Sequence, residues 1–134
     1  MNIILDTNFV LTCVKQKIDF IHYADEIFDK PINWIVPLEV IEELNQLEKR
    51  KGEKTRDKQA AKISLDIIKQ KSLDITPLSL KENENVDDGI VRYIKERAGI
   101  SDEILLATMD KQLKQRAKPV KILTIRGKNH LNII

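Results

Sequence analysis

The stretch Met1 to Val10, MNIILDTNFV, constrains the fold more than any other. Ile3, Ile4 and Leu5 follow one another without polar alternation and stop at Asp6, Thr7 and Asn8, after which Phe9, Val10 and Leu11 resume. A short apolar run of this kind, closed by small polar residues, reads as a strand buried on both faces and ending in a loop, as in a parallel sheet. In open α/β sheets the functional groups gather beyond the carboxyl ends of the strands, and Asp6 would stand there. A second role is open to the same residue, capping the helix that follows through its side chain. The choice turns on whether further carboxylates reach the same edge.

Taken in order, the chain alternates strands with helices. Asn8 to Val14 and Ile18 to Phe28 carry apolar residues at helical steps, and Trp34, Ile35 and Val36 form a short strand. Pro37 suits a helix first turn, where its missing N–H has no partner to lose. The helix from Leu38 to Lys49 puts Val40, Ile41, Leu44 and Leu47 on one face. Glu43 neighbours that face, and Glu42 lies about 100° around the helix from it. Glu48 to Lys58, EKRKGEKTRDK, reads as a helix end, a turn at Gly52 and the start of a long helix reaching Lys71. It is either a solvated connection or a basic lip that meets phosphates. Leu73 to Thr76 is a short strand and Leu78 to Asn85 a polar loop. Val86 to Ala98 is a helix opened by Asp87 and Asp88 and closed by Gly99. Glu103 to Thr108 is a buried strand running into Met109 and Asp110. Lys111 to Ala117 is a short helix, and Val120 to Ile125 the last strand. The tail RGKNHLNII mixes basic and apolar residues. This alternation implies a parallel sheet covered on both faces.

The 134 residues are expected to form one domain, 1–134, large enough for a proper core. Charged residues at 33% and hydrophobic residues at 42% exclude a disordered chain. No apolar run approaches the ~20 residues a membrane span needs, and no basic-then-apolar leader opens the chain, so a cytoplasmic protein with no membrane partner is expected. Cys13 is the single cysteine, which excludes an internal disulfide or a cysteine cluster, and its apolar setting suits a buried, inert thiol. A net charge of +2 permits a nucleic-acid partner without arguing for one.

Four acids arrive at the same edge. Asp6 ends the first strand, Glu43 sits on the helix after the second, Asp87 or Asp88 opens the helix after the third, and Asp110 follows the fourth. Carboxylates that close repel one another and raise at least one pKa. A hard divalent cation removes the conflict, and Mg²⁺ and Mn²⁺ prefer carboxylate and water oxygens. His22 and His130 lie far from these motifs and offer no alternative set. A metal held by acids commonly serves phosphoryl chemistry, orienting a water, lowering its pKa and neutralising charge on phosphate. None of the four glycines lies in a phosphate-cradling loop, so phosphodiester hydrolysis fits better than nucleotide hydrolysis.

The chain resembles the PIN-domain nucleases over nearly its whole length. LDTNFV looks like the family's first motif, VPLEVIEEL the second with Glu43 as its acid, VDDGIV the third with Asp88 before Gly89, and ATMDKQLKQR the fourth with Thr108 and Asp110. The paired VDD and the ATMDKQLKQR…PVKIL run look closest to archaeal single-domain members related to the nucleolar PIN nucleases of small-subunit rRNA maturation. The resemblance implies a three-layer α/β/α sandwich with a central parallel sheet of four or five strands. It also implies dependence on Mg²⁺ or Mn²⁺ and endonucleolytic cleavage of RNA, in rRNA processing or as a toxin-type ribonuclease. Many members dimerise and some are toxins held by a small antitoxin, so a second copy, an antitoxin or a ribosome-assembly partner is expected beside the RNA. Two positions depart from the family pattern: Gln112 stands where a further acid is frequent, and Gly89 replaces the more usual Ala or Cys.

On this reading Asp6, Asp88 and Asp110 hold the metal directly or through water, and Glu43 is a ligand or positions the attacking water. Asp87 rivals Asp88, one of the pair serving only as a helix cap. Asn8 and Thr108 either hold the ligands in orientation or act as cap and turn residues. Lys111, Lys114, Arg116, Arg126 and Lys128 are candidates for the substrate backbone, or are simply solvated. Aromatic residues at 4% leave little for base stacking. Two rivals remain: a non-catalytic RNA- or protein-binding scaffold in ribosome assembly, which gains nothing from clustered acids, and an aspartyl-phosphate phosphatase. The latter wants a second acid two residues after Asp6, where Asn8 stands.

Overall fold

The computed structural model describes residues 1–52, 54–100 and 103–134. Position 53, within the charged stretch 48–58, lies outside the described residues. Among the described residues six strands form one sheet: β1 (Asn2–Leu5), β2 (Asn33–Pro37), β3 (Asp74–Thr76), β4 (Ile104–Ala107), β5 (Lys121–Arg126) and β6 (His130–Ile133). Their order is β3-β2-β1-β4-β5-β6. The first five are mutually parallel and β6 runs antiparallel to β5. Six helices accompany them: α1 (Thr7–Lys15), α2 (Phe20–Ile27), α3 (Leu38–Lys49), α4 (Thr55–Gln70), α5 (Val86–Arg97) and α6 (Lys111–Arg116).

The missing alternation in the strands has a direct cause. Successive side chains point to opposite faces, and both faces are covered. Ile3, Leu5, Trp34, Val36, Leu105, Ala107 and Leu123 join the core under α1 to α4. Ile4, Ile35, Ile104, Leu106 and Ile122 join the core under α5 and α6. Phe20 stands edge-to-face against Phe9 and Trp34, with ring centres 5.9 and 5.1 Å away, and locks α1 and α2 onto β2. The result is a three-layer α/β/α sandwich.

The sheet carries one strand more than the four or five expected, and the extra strand is antiparallel. Gly127, at φ +68°, turns the chain back after β5. His130 to Ile133 then pairs with β5, and only Leu131 among these four is buried. A half-buried edge strand with one core residue leaves almost no periodic trace in sequence. A helix start also shifts. Lys17 takes a left-handed φ of 58°, and Asp19 caps α2 by accepting the His22 N–H at 3.2 Å, so α2 begins at Phe20 rather than Ile18. Pro37 ends β2 and stands at the N-cap of α3.

The strand order reverses at β1. The connection through α1 and α2 leads to β2 on one side, while β4 lies on the other and leads outward to β5. Such a reversal opens a crevice beyond the carboxyl ends of the two central strands. Leu5 pairs with Ala107 at those ends, so the next residues, Asp6 and Thr108, enter the crevice side by side.

Candidate active site

Asp6 continues β1 for one residue, its N–H donating to the Ala107 carbonyl at 3.0 Å. It is also the N-cap of α1, accepting the Thr7 N–H at Oδ1 at 2.9 Å. The cap reading and the edge position therefore coincide in one residue. Its other oxygen, Oδ2, accepts the Thr108 hydroxyl at 2.7 Å. The residue is only 6% exposed. Burial pushes its carboxyl up to about 6, and the charges of Asp87 and Glu43 push the same way, against the Thr108 and Thr7 donors that favour the ionised form.

Thr108 ties the two central strands together. Its N–H donates to the Leu123 carbonyl, its hydroxyl donates to Asp6, and the same oxygen accepts the Asp110 N–H at 3.1 Å. Asn8 Oδ1 accepts the Met109 N–H at 3.1 Å, pinning the turn after β4 from the α1 side. Asp110 is the N-cap of α6, with Oδ1 accepting the Gln112 and Leu113 N–H groups at 2.8 and 3.1 Å. Among the described residues no donor meets its Oδ2.

Glu43 projects from α3 and accepts the Thr7 hydroxyl at Oε2, at 3.0 Å. Thr7 follows Asp6 in the chain, so this bond brings Glu43 beside Asp6. Nothing in the sequence reading singled out Thr7; its signal was adjacency to Asp6 in LDTN.

Asp87 and Asp88 divide. Asp88 is the third residue of α5 and forms a reciprocal capping box with Asn85. Its N–H donates to Asn85 Oδ1 at 2.8 Å, and its Oδ2 accepts the Asn85 N–H at 3.0 Å. Its Oδ1 accepts Arg116 Nη2 at 2.8 Å. The Asn85 backbone bond, then Arg116, hold its carboxyl below the usual range. Asp87 has no hydrogen-bond donor among the described residues. Burial raises its carboxyl, as do the charges of Asp110 and Asp88, with Arg116 opposing. The acid that feels Asp6 and Asp110 is thus Asp87, while both Asp88 oxygens are engaged elsewhere.

The basic candidates also sort. Arg116 is paired with Asp88, and Lys114 donates to Thr124 Oγ1 at 3.0 Å. Lys111, Arg126 and Lys128 are exposed. The two histidines are occupied away from the acids, His22 with Glu26 at 3.0 Å and His130 with the Tyr23 hydroxyl at 3.1 Å. Cys13 is buried, which pushes its thiol up to about 12.

The donor set fits a hard divalent cation. Asp6, Asp87, Glu43 and Asp110 all offer carboxylate oxygens, and burial drives Asp6 and Asp87 toward protonation, helped by the charges of Asp87 and Glu43 on Asp6 and of Asp110 and Asp88 on Asp87. Among the described residues no three His, Cys, Asp or Glu side chains close on one point tightly enough to enclose an ion. Mg²⁺ is typically held by one or two carboxylates and several waters rather than by a protein cage.

The PIN-like domain family model matches residues 3–128. A curated relative, Ribonuclease VapC4 of Methanocaldococcus jannaschii, is 28% identical over 134 residues, spanning 98% of this chain and 95% of that protein. The solved PIN domain endonuclease Utp24 superposes with a TM-score of 0.77 at 27% identity, covering 98% of this chain and 90% of that one. With acids gathered at the β1–β4 crevice and the family match running through all four motifs, the chain belongs to the PIN-like domain family.

Proposed function

We propose that this chain, as one domain over 1–134, is a divalent-metal-dependent endoribonuclease that hydrolyses RNA phosphodiester bonds in the cytoplasm. The observation that carries the reading is Asp6, buried at the strand-order reversal with the charges of Asp87 and Glu43 turned on it. A pure scaffold would gain nothing from an acid held at that cost. Similarity to Ribonuclease VapC4 and to the Utp24 endonuclease supports the reaction class. Toxin-type cleavage and rRNA processing are the two roles proposed for it. A second copy, a small antitoxin or a ribosome-assembly factor would be its protein partner.

In this proposal Asp6, Asp87 and Asp110 hold Mg²⁺ or Mn²⁺, with Glu43 as a further ligand or as the group that orients the attacking water. Asp87 takes the place that the motif comparison gave to Asp88, because Asp88 spends both oxygens on Asn85 and Arg116. A bound divalent ion would lower the pKa of a coordinated water and neutralise charge developing on the phosphate. Thr108 keeps Asp6 ionised and fixes its carboxylate plane. The Thr7 hydroxyl fixes Glu43, and Asn8 holds the turn from which Asp110 projects.

The test is cleavage of a labelled structured RNA with Mg²⁺, with Mn²⁺ and with EDTA, beside Asp6→Asn purified identically. Metal-dependent cuts lost in the variant support the proposal. Equal cutting by both proteins, or RNA binding without any cutting, overturns it.

A further inference from the structure

A groove of about 490 Å³ runs along the outer side of α6. Its floor is aliphatic, built by Val120, Ile122 and Ile134, with Ile134 extending the β6 pairing through reciprocal 2.9 Å bonds to Ile122. Its rim carries Lys111, Lys114 and Lys118, and among the described residues no Asp or Glu side chain lines it. Lys111 and Lys114 lie three residues apart on one side of α6, and Lys118 follows in the turn after that helix, so the three form a short line of positive charge along the rim. The row begins at the residue after Asp110, the N-cap of α6, which sets its first lysine next to one of the site acids. Lys114 is held in place by Thr124, while Lys111 and Lys118 are exposed.

From this geometry we infer that the groove is the track of the single RNA strand running on from the scissile phosphate, its backbone on the lysine row and its riboses and bases against the aliphatic floor. The inference rests on the nuclease reading and gives it a strand path. A row of positive charge with no acidic side chain among its described lining matches a polyanion, and its start next to Asp110 matches one whose backbone must reach the acidic edge. A volume of this size accommodates a nucleotide-sized group. With no aromatic side chain in the groove, bases meet it by apolar contact alone, so binding there is tolerant of sequence.

The experiment measures binding of a labelled single-stranded RNA in EDTA by fluorescence anisotropy across a salt series, for wild type, Lys118→Ala and Lys62→Ala. Lys62 is an exposed lysine on α4, in the opposite helix layer, and serves as the charge-matched control. The expected result is that Lys118→Ala weakens binding several-fold and lowers the slope of log K against log salt by about 1, equally for different sequences. Lys62→Ala is expected to leave both unchanged. If Lys118→Ala behaves as Lys62→Ala does, the groove is not the RNA track. Uptake of an acidic amphipathic peptide with no competition by RNA would reassign it to a protein partner. Neither failure touches the nuclease reading, which stands or falls on metal-dependent cleavage lost in Asp6→Asn. Groove binding without such cleavage would leave the track and remove the nuclease.

Discussion

Thr108 and Asp6, 102 positions apart in sequence, share a buried hydrogen bond of 2.7 Å in which the hydroxyl donates to Oδ2. The same hydroxyl oxygen accepts the Asp110 N–H, so one side chain sets the relation between two of the acids. Thr108→Val keeps the shape and removes both functions. The acidic limb of the pH–kcat/KM profile should move to higher pH, because Asp6 loses a donor that favours its ionised form. Stability should fall by about 1–3 kcal/mol for the stranded partners. Thr108→Ser should restore the profile. A Val variant with lower stability but an unmoved pH limb would make Thr108 a packing residue only.

Asp6 destabilises the metal-free fold at neutral pH. Its carboxyl titrates near 6 in the folded chain against 3.8 for the ordinary side chain. Between those values the native state holds a proton that the unfolded chain has lost, so stability falls as pH rises from about 4 to about 6. The accumulated cost above pH 6 is on the order of 3 kcal/mol. Asp6→Asn should therefore melt higher than wild type in EDTA at pH 7.5, and the gain should vanish at pH 4. Divalent metal should raise the melting temperature of wild type and not of the variant. Equal melting of the two proteins across this range would show that Asp6 is not strained.

Asp87→Asn and Asp88→Asn should separate cleanly. Asp87→Asn removes a carboxylate that has no donor among the described residues and faces Asp110 and Asp6, and it should lower cleavage by ~100-fold or more with the fold intact. Asp88→Asn breaks the Asn85 capping box and the Arg116 pair, and it should lower the melting temperature more than it lowers cleavage. Arg116→Ala should reproduce only the ion-pair part of the Asp88→Asn melting shift, and the double variant should add little to Asp88→Asn alone. The reverse ranking in cleavage would return the ligand role to Asp88.

The contrast between those two aspartates marks where sequence reading reaches its limit. The buried strands were plain in NIIL, NWIV, EILLAT and VKILTI, because covering both faces leaves no room for polar alternation. The shared edge of Asp6, Glu43, Asp87 or Asp88 and Asp110 followed from the order of elements alone. Adjacent residues at a helix start differ by about 100° in direction, and which of them faces the crevice depends on the loop before the helix. That loop is set by tertiary contacts. Arg92 reaches from α5 to the Leu78 and Ser79 carbonyls and to Glu84, and Glu39 accepts the Leu78 N–H. Arg92 lies outside the quoted motifs, and Glu39 lies within VPLEVIEEL without being its acid. β6 was hidden for a similar reason, since four alternating residues, HLNI, with one buried leucine are too short a signal beside a basic tail.

The Arg92–Glu84 pair predicts an acid-side loss of stability opposite in sign to that of Asp6. Arg92, first of all, with the Lys81 N–H holds the Glu84 carboxyl down to about 2 against 4.5. A carboxyl depressed in this way contributes stability above pH 4.5 that is lost as pH falls toward 2. Glu84→Gln should flatten the melting curve across that range and leave it unchanged in form at neutral pH. A melting profile that keeps its full slope below pH 4.5 in Glu84→Gln would place the acid sensitivity elsewhere.

Gly89 is explained by the same loop. A Cβ there would lie 2.4 Å from Leu80 Cδ2 and 3.2 Å from Leu78 Cδ1. The glycine lets residues 78–80 lie against the first turns of α5, where the family more often has Ala or Cys. Leu80 is half-exposed and its tip can swing away, whereas Leu78 is buried and can yield only slightly. Gly89→Ala gains about 1 kcal/mol of helix propensity and loses part of it to the displaced leucines, so alone it should be close to neutral. In a Leu80→Ala background the nearest obstacle is gone and the propensity gain should emerge. Urea unfolding of the four proteins of this cycle should therefore give a favourable coupling of several tenths of a kcal/mol between the two substitutions. Additive effects would mean that the loop does not rest on Gly89.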